Sequence, residues 1–262
     1  MSCPQCLSAS TSKRKHRTSL GYRTYFCPGC GRRSNERTGS PFNDLQFPTD
    51  IVLLAVLWRL RYKLSFRDVA ELLLQRGFEI SHETIRAWEF RFAPWVSENL
   101  RTKRRGTAGV SWYLDETYIK VRGQWKYLYR AVDKDGNTVD FLLTAKRDTK
   151  AALRFLRQAI RNNCTPVKIN IDKSGSNTAA IEAYNEECDQ AIEIRPCKYL
   201  NNIIEQDHRY VKKKTRSALG FKAFYSAHAT LQGMELIQMI RQGQVGPIPD
   251  GSFIEQFNYL AM

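Results

Sequence analysis

The chain of 262 residues lacks any apolar run of the roughly 20 residues that a membrane-spanning helix needs. Its start, Met-Ser-Cys-Pro-Gln-Cys, lacks the features of a secretory signal peptide, so we expect a cytoplasmic protein with no membrane partner. Acidic residues are scarce, since 26 Asp and Glu stand against 41 Lys and Arg, a net charge of +15. A polyanionic partner is therefore expected. A hydrophobic content of 42% excludes global disorder.

Cysteine occurs in a pattern that excludes a secreted disulfide framework. The number of cysteines is seven, which is odd, and four of them fall within the first 30 residues. The remaining three are expected to be small buried hydrophobic residues without a function: Cys164, Cys188 and Cys197.

The four N-terminal cysteines form two Cys-x-x-Cys pairs, Cys3-Pro-Gln-Cys6 and Cys27-Pro-Gly-Cys30, separated by 20 residues. This spacing is typical of a zinc ribbon, in which four thiolates surround one Zn²⁺. A redox Cys-x-x-Cys is disfavoured because it needs only one pair and a βαβ context. A closed four-thiolate shell leaves no open coordination position, so we expect structural zinc in a module spanning residues 1–37.

Basic residues are concentrated in the N-terminal part of the chain. Residues 1–106 hold 19 Lys and Arg against 9 Asp and Glu, a net of +10, whereas residues 107–262 have a net of +5. Between the two cysteine pairs lies a basic cluster that suits contact with phosphates: Lys13, Arg14, Lys15 and Arg17. The alternative interpretation of this cluster is a solvated loop at the tip of the module.

Three capped helical patterns follow a turn-rich linker at 34–48 and define a second module, residues 49–100. Thr49 or Asp50, Ser65 and Ser81 are the predicted caps, and the third helix is predicted to stop before Pro94. A turn at 76–78 between the second and third helices predicts a helix-turn-helix, with His82 and Arg86 available to a DNA groove. A trihelical packing unit without DNA contact remains the alternative.

The region 107–243 predicts an α/β domain with a mixed sheet. Three strands with glycine-containing turns, at 111–121, 125–132 and 139–144, predict an antiparallel meander. Helices and strands then alternate, with strands at 167–172 and 191–195 and helices near 149–163, 177–187 and 201–212. This order is the one found in ribonuclease-H-like domains. Residues 244–262 are interpreted as a C-terminal tail.

Three carboxylates lie where such a domain presents metal ligands. Asp115 and Asp172 lie on or at the end of predicted strands, and Glu205 lies on a predicted helix. Together they can hold two divalent cations, an arrangement that suits phosphodiester chemistry, and oxygen ligands favour Mg²⁺. Any one of them alone is better explained as a solvated loop residue. Glu116 follows Asp115 on the strand and points to the other face, so it is interpreted as a structural or surface residue.

Four segments carry a resemblance to a known family: Tyr-Leu-Asp-Glu-Thr-Tyr-Ile-Lys-Val, Tyr-Leu-Tyr-Arg-Ala-Val-Asp-Lys-Asp-Gly-Asn, Ile-Asp-Lys-Ser-Gly-Ser-Asn and Lys-Tyr-Leu-Asn-Asn-Ile-Ile-Glu-Gln-Asp-His-Arg. Over nearly all of 47–243 the chain resembles bacterial insertion-sequence transposases of the insertion sequence six family. The resemblance implies that Asp115, Asp172 and Glu205 are a DDE triad and that Lys212 is the basic residue that follows it. The cysteine-rich start departs from many members of that family.

The resemblance further implies a DNA transposase that cleaves element ends and transfers the strand into target DNA. It implies terminal inverted repeats and target DNA as partners, assembly into a homo-oligomer, and no covalent enzyme–DNA intermediate. Two alternatives are a structure-specific metal-dependent nuclease and a non-catalytic DNA-binding regulator. Strand transfer distinguishes the transposase from the first, and Mg²⁺-dependent cleavage distinguishes it from the second.

Overall fold

A computed structural model of the chain describes residues 2–62, 64–104, 109–172, 175–188, 191–196, 208–213, 215, 220–248 and 250–261. The chain divides into two compact units, residues 1–55 and residues 56–262. No described helix combines the length and the apolar character that spanning a bilayer would require.

The first unit contains a three-stranded antiparallel sheet in the order β1-β2-β3, formed by Ser12–Arg17, Arg23–Phe26 and Arg33–Asn35. The segment after β3, for which turn-forming residues predict a linker, folds around Arg37. The buried Arg37 guanidinium donates hydrogen bonds to the carbonyl oxygens of Phe42, Leu45 and Phe47. A buried cation requires such acceptors, so this segment is an ordered loop.

Three helices follow: α1 (Thr49–Arg61), α2 (Phe66–Leu74) and α3 (His82–Thr102). Ser65 caps α2 and Ser81 caps α3, as predicted. The prediction that α3 stops before Pro94 is wrong, because the helix continues to Thr102. A proline removes one backbone donor, but buried residues on the second half of α3, including Val96 and Leu100, hold it on the core.

The second unit is built around a five-stranded sheet in the order β6-β5-β4-β7-β8. Its strands are Ser111–Val121 (β4), Gln124–Asp133 (β5), Thr138–Thr144 (β6), Lys168–Ile171 (β7) and Glu193–Pro196 (β8). β4, β5 and β6 are antiparallel neighbours, whereas β7 and β8 join β4 in parallel. Arg122 and Gly123 connect β4 to β5 with φ of +50° and +77°, which is the conformation that a two-residue type I′ hairpin turn requires.

Helices cover both faces of this sheet. On one face, α4 (Thr149–Asn162) and α5 (Gly175–Cys188) pack on Trp112, Leu114 and Tyr129. On the other, α6 (Phe224–Arg241) and the helical segment 208–213 pack on Ile119 and Leu128. The predicted α/β fold, a ribonuclease-H-like mixed sheet with flanking helices, is thereby confirmed.

Residues interpreted as a tail include α7 (Phe253–Leu260), which begins with a Ser252–Glu255 capping box and packs on α3. Cys164 and Cys188 are exposed, so the expectation that they are buried is wrong for both. Each lies at the end of a helix, where a small side chain need not reach the core. Cys197 lies outside the described residues.

Candidate active site and metal centre

The strand register brings Asp115 and Asp172 to the same place on the sheet. Leu114 of β4 is the parallel partner of Ile171 of β7, and each aspartate follows its strand residue by one position. Leu114 and Ile171 both belong to the core beneath α4 and α5. Because successive side chains in a strand alternate between faces, Asp115 and Asp172 share the opposite face.

Asp115 lies in a partly desolvated environment. Its side chain is 18% exposed. Burial raises the pKa of Asp115 to about 7, and the negative charges of Glu116 and Asp172 add to the rise. The backbone N–H of Glu116 donates to Asp115 Oδ1 at 2.8 Å, and this hydrogen bond lowers the pKa. A cation between the two aspartates would favour the ionised form of both carboxylates and would therefore lower the pKa of Asp115.

His208 lies against Asp115 on this face. Its Nδ1 is 3.6 Å from Asp115 Oδ2, and its side chain is buried. Burial, together with the positive charges of Arg130 and Lys212, lowers the pKa of His208 to about 3, so the ring is neutral at pH 7. The contact places the segment that carries His208 directly beside Asp115. Glu205, three positions earlier in the sequence, lies outside the described residues.

Lys212, the basic residue that the family resemblance singles out, lies on the described helical segment 208–213 and is exposed. It is four positions after His208, hence about one helical turn away on a neighbouring part of the surface. Its charge contributes to the lowered pKa of His208. Lys212 is therefore within electrostatic reach of the residues beside Asp115 and free to face solvent.

A buried ion pair beneath Asp115 was not anticipated from the sequence. Arg130 of β5 is the cross-strand partner of Asp115, and its Nη2 lies 2.8 Å from Glu235 Oε2 of α6. Both side chains are fully buried. The available signal was an arginine in the middle of an apolar strand, because an arginine there needs a buried partner.

Glu116 occupies the opposite face of β4, as expected, but it is buried and has specific partners. Its carboxylate forms an ion pair with Arg147 and accepts a hydrogen bond from Asn177 Nδ2 of α5 at 3.0 Å. Glu116 is thus structural and not a surface residue. Arg147 also acts electrostatically on Asp115, where its positive charge lowers the pKa.

The four N-terminal cysteines come together as the spacing predicts. Their sulfur atoms all lie within 4.8 Å of one another. Cys3 Sγ is 3.7 Å from Cys30 Sγ, and Cys6 Sγ is 3.5 Å from Cys27 Sγ. A tetrahedron with Zn–S bonds of about 2.3 Å has edges of about 3.8 Å, so the cluster has the size of a four-thiolate zinc site.

The two halves of the cluster have matching turns. Leu7 N–H donates to Cys3 O at 2.9 Å, and Gly31 N–H donates to Cys27 O at 2.8 Å. Leu7 and Gly31, each directly after the second cysteine of its pair, have φ of 59° and 69°. A non-glycine residue at positive φ is strained, so the turn at Leu7 requires compensation such as metal binding would supply. Backbone N–H groups of Gln5 and Cys6 lower the pKa of the Cys3 thiol to about 6, which favours the thiolate.

The predicted phosphate-contacting residues of the first unit lie on an edge strand. Lys13, Arg14, Lys15 and Arg17 belong to β1, whose six residues are all exposed. These residues lie on a strand and not in a tip loop, since Lys13 and Arg17 pair with β2; their contact with phosphates stays a prediction. Alternate positions of a strand project to opposite sides, so the four cations are distributed over both sides of the edge.

In the helix-turn-helix candidate, Ile85 and Trp88 are buried, and His82 and Arg86 stay accessible. Arg86 Nη1 lies 2.6 Å from Glu83 Oε2, and His82 Nε2 lies 3.2 Å from Glu83 Oε1. The Arg86 guanidinium also stacks on Phe66 at 5.2 Å from the ring centroid. Glu83 therefore holds both candidate DNA contacts on the exposed side of the start of α3.

The chain is similar to a known domain family and to transposases of Staphylococcus aureus. The family model described as a DDE domain (DDE_Tnp_IS240) matches residues 109–244. The transposase for the insertion sequence-like element IS431mec of Staphylococcus aureus is 38% identical over 202 residues, covering 75% of this chain and 86% of that protein. The transposase for insertion sequence element IS257 in transposon Tn4003 of the same species has the same identity and coverage.

Two solved structures are similar in fold at low sequence identity. The catalytic core domain of BIV integrase is 17% identical with a TM-score of 0.41, covering 58% of this chain and 99% of that chain. The HTLV-2 integrase catalytic core in complex with magnesium is 16% identical with a TM-score of 0.39, covering 50% and 86%.

Proposed function

This chain belongs to the DDE-domain transposases, in the insertion sequence six family, and on that premise we propose that Asp115, Asp172 and Glu205 are its catalytic carboxylates. The observation that carries the proposal is the register that sets Asp115 beside Asp172 on one face of the sheet. His208 against Asp115 supports the third assignment, because Glu205 precedes His208 by only three positions in the sequence.

The residues present suit divalent cations. Two aspartates on one face, one with its pKa raised to about 7 in the absence of a cation, form a carboxylate site that a hard cation would stabilise. We propose two Mg²⁺ ions as its occupants. When bound, they would polarise the phosphodiester and stabilise the charge on the attacking and leaving oxygens.

The chain's own residues would position the DNA. Asp115 and Asp172 would define where the scissile phosphate lies. His208 is buried and neutral, so its ring adds no charge beside the two carboxylates. The exposed Lys212 would contact a phosphate next to that site. Cleavage at an element end followed by attack of the exposed 3′-hydroxyl on target DNA needs only one such site, since both steps displace an oxygen at phosphorus.

Recognition of element ends is proposed for the N-terminal part of the chain. The thiolates of Cys3, Cys6, Cys27 and Cys30 would bind one structural Zn²⁺, which fixes β1 with its four cations. His82 and Arg86 would enter a DNA groove from the start of α3. Terminal inverted repeats are the expected duplex, and pairing two of them requires a homo-oligomer.

The test is a DNA-joining assay in Mg²⁺. A labelled duplex carrying the inverted repeat that flanks the gene is incubated with plasmid DNA, and the amount of label joined to the plasmid is measured. The variants Asp115→Asn, Asp172→Asn and Glu205→Gln should each lower joining by roughly a thousandfold, as expected for loss of a charged metal ligand worth several kcal/mol, with end binding retained. Lys212→Ala should give an intermediate loss because it removes a DNA contact and no metal ligand.

The matched control is Asp135→Asn, an equal loss of charge in the exposed turn between β5 and β6. Glu116→Gln is unsuitable as a control, since it would break the buried pair with Arg147. Full joining by the Glu205 variant would refute the triad. Cleavage without joining in the unmodified protein would indicate a nuclease, and binding without cleavage would indicate a regulator.

A further inference from the structure

The hairpin formed by β4 and β5 exposes an unusual set of side chains near its turn. Tyr118 is the cross-strand partner of Tyr127, and Lys120 is the partner of Trp125, so all four lie on the same face. Tyr118 is 47% exposed and Trp125 is 57% exposed. We call these four residues, Tyr118, Lys120, Trp125 and Tyr127, the hairpin face.

Tyr127 packs against the core, but the rings of Tyr118 and Trp125 are not part of it. On the same strands, the other face is closed by Ile119, Val121 and Leu128, all buried against the side of the sheet that α6 covers. Farther from the turn, the same side of β4 and β5 is covered by α4, where Tyr129 packs on Phe155 with ring centroids 5.8 Å apart. Exposing Trp125 and Tyr118 leaves apolar area in water, a cost that suggests a partner.

The rings are held in a fixed arrangement. Tyr118 meets Trp125 edge-on, with centroids 6.2 Å apart and an interplanar angle of 82°. It meets Tyr127 at 5.4 Å and 61°. Edge-to-face contacts stabilise the rings while leaving broad ring surfaces open. The hairpin face therefore offers preformed stacking surfaces whose side-chain entropy is largely lost already.

The charges along the hairpin, residues 117–127, are of one sign. Lys120 Nζ lies 5.9 Å from the Trp125 ring centroid, and Arg147 Nη1 lies 3.4 Å from Tyr118 Oη. Every charged residue from 117 to 127 is a cation: Lys120, Arg122 and Lys126. Aromatic rings interleaved with cations match a polyanion with exposed flat groups, which is the chemistry of single-stranded nucleic acid. An acidic or apolar protein surface would match the cations or the rings alone.

The hairpin face and the candidate active site share β4 but lie on opposite faces of the sheet. Arg147 connects Tyr118 to Glu116, and Glu116 is the neighbour of Asp115 in β4. Glu116 and Lys120 are four positions apart, a distance of about 13 Å at a rise of about 3.3 Å per residue. The hairpin face is therefore close to the active site along the strand but is a separate surface.

We propose that the hairpin face binds single-stranded DNA, with unpaired bases stacked on Trp125 and Tyr118 and phosphates paired with Lys120. Its occupant is single-stranded DNA outside the active site. The inference rests on the proposed function only in that DNA is the substrate, since binding to this face needs no metal and no catalysis.

The test is binding of a fluorescein-labelled single-stranded oligothymidylate to the full-length chain in EDTA, followed by anisotropy. Trp125→Ala should weaken binding roughly tenfold, as for the loss of one base–aromatic stack, and Trp125→Phe should restore most of it. Lys120→Gln should lower the salt dependence of binding, because one phosphate contact is lost. Affinity for a random duplex of equal length should be unchanged in all three variants.

The matched control is Tyr62→Ala, because Tyr62 is 48% exposed but lies outside the hairpin face. It should bind the oligonucleotide like the unmodified chain. Equal weakening by Tyr62→Ala and Trp125→Ala, or less than a twofold effect of Trp125→Ala, would overturn the proposal. A changed sedimentation coefficient of Trp125→Ala with unchanged oligonucleotide affinity would also overturn it, since the face would then be a contact between copies of the chain. Asp115→Asn should bind the oligonucleotide normally, so a failure here is distinct from a failure of the catalytic triad.

Discussion

Replacing Asp115 by asparagine should abolish DNA joining and at the same time make the metal-free protein more stable at neutral and alkaline pH. The side chain lies in a partly buried site beside Asp172, where its charge is disfavoured. Asparagine keeps the size of the side chain and an oxygen that can accept the hydrogen bond from the backbone N–H of Glu116. The substitution therefore removes the unfavourable charge and little else.

The size of the gain follows from the pKa. Folding raises the pKa of Asp115 from 3.8 to about 7. At about 1.4 kcal/mol for each pH unit by which a pKa moves, the ionised carboxylate costs the folded state about 4 kcal/mol. The folded protein holds the proton more tightly than the unfolded chain does. The cost is therefore absent below about pH 4, grows between pH 4 and 7, and is complete above pH 7.

The assay is unfolding of wild type and Asp115→Asn in EDTA from pH 3.5 to 8.5. The two proteins should be about equally stable at the acid end, and the variant should be more stable by about 2–4 kcal/mol at pH 8, allowing for water that enters the site. For a protein of this size that gain raises the melting temperature by about 5–15 °C. Added Mg²⁺ should stabilise the wild type and not the variant. Two results would refute the reasoning. One is a variant less stable than wild type at pH 8, and the other is an unfolding free energy with the same pH dependence in both proteins; either would mean that the ionised carboxylate does not destabilise the fold.

Three further outcomes are expected. Glu235→Gln should destabilise the protein by about 3–5 kcal/mol in thermal unfolding, because it leaves the buried Arg130 without its carboxylate; a loss below about 1 kcal/mol would contradict the buried pair. Elemental analysis of protein purified without chelator should give one zinc per chain, and freely reactive thiols at all four N-terminal cysteines would refute the site. Neutralising the cations at 13–17 should weaken binding to all DNA sequences and lower its salt dependence, whereas Arg86→Ala should chiefly relax sequence preference; the reverse pattern would exchange their roles.

Periodicity and turn residues sufficed for most of the second unit. The meander, the alternation of helix and strand after it and the caps at Ser65 and Ser81 are local features, and the structure confirms them. At Pro94 the local signal predicts the wrong end for α3. A proline signals the end of a helix locally, but burial of Val96 and Leu100 holds the chain helical beyond it. Tertiary packing therefore overrode the local signal.

The sequence by itself determined the chemistry that is available: two cysteine pairs at ribbon spacing, three carboxylates in family motifs and an excess of cations. Those depend on residue identity and spacing along the chain. Only the tertiary structure decided which groups meet across it. The parallel register sets Asp115 beside Asp172, burial moves the pKa of Asp115 to about 7, and Arg130 finds Glu235. Strand order, register and desolvation arise from contacts between distant segments, and no local pattern encodes them.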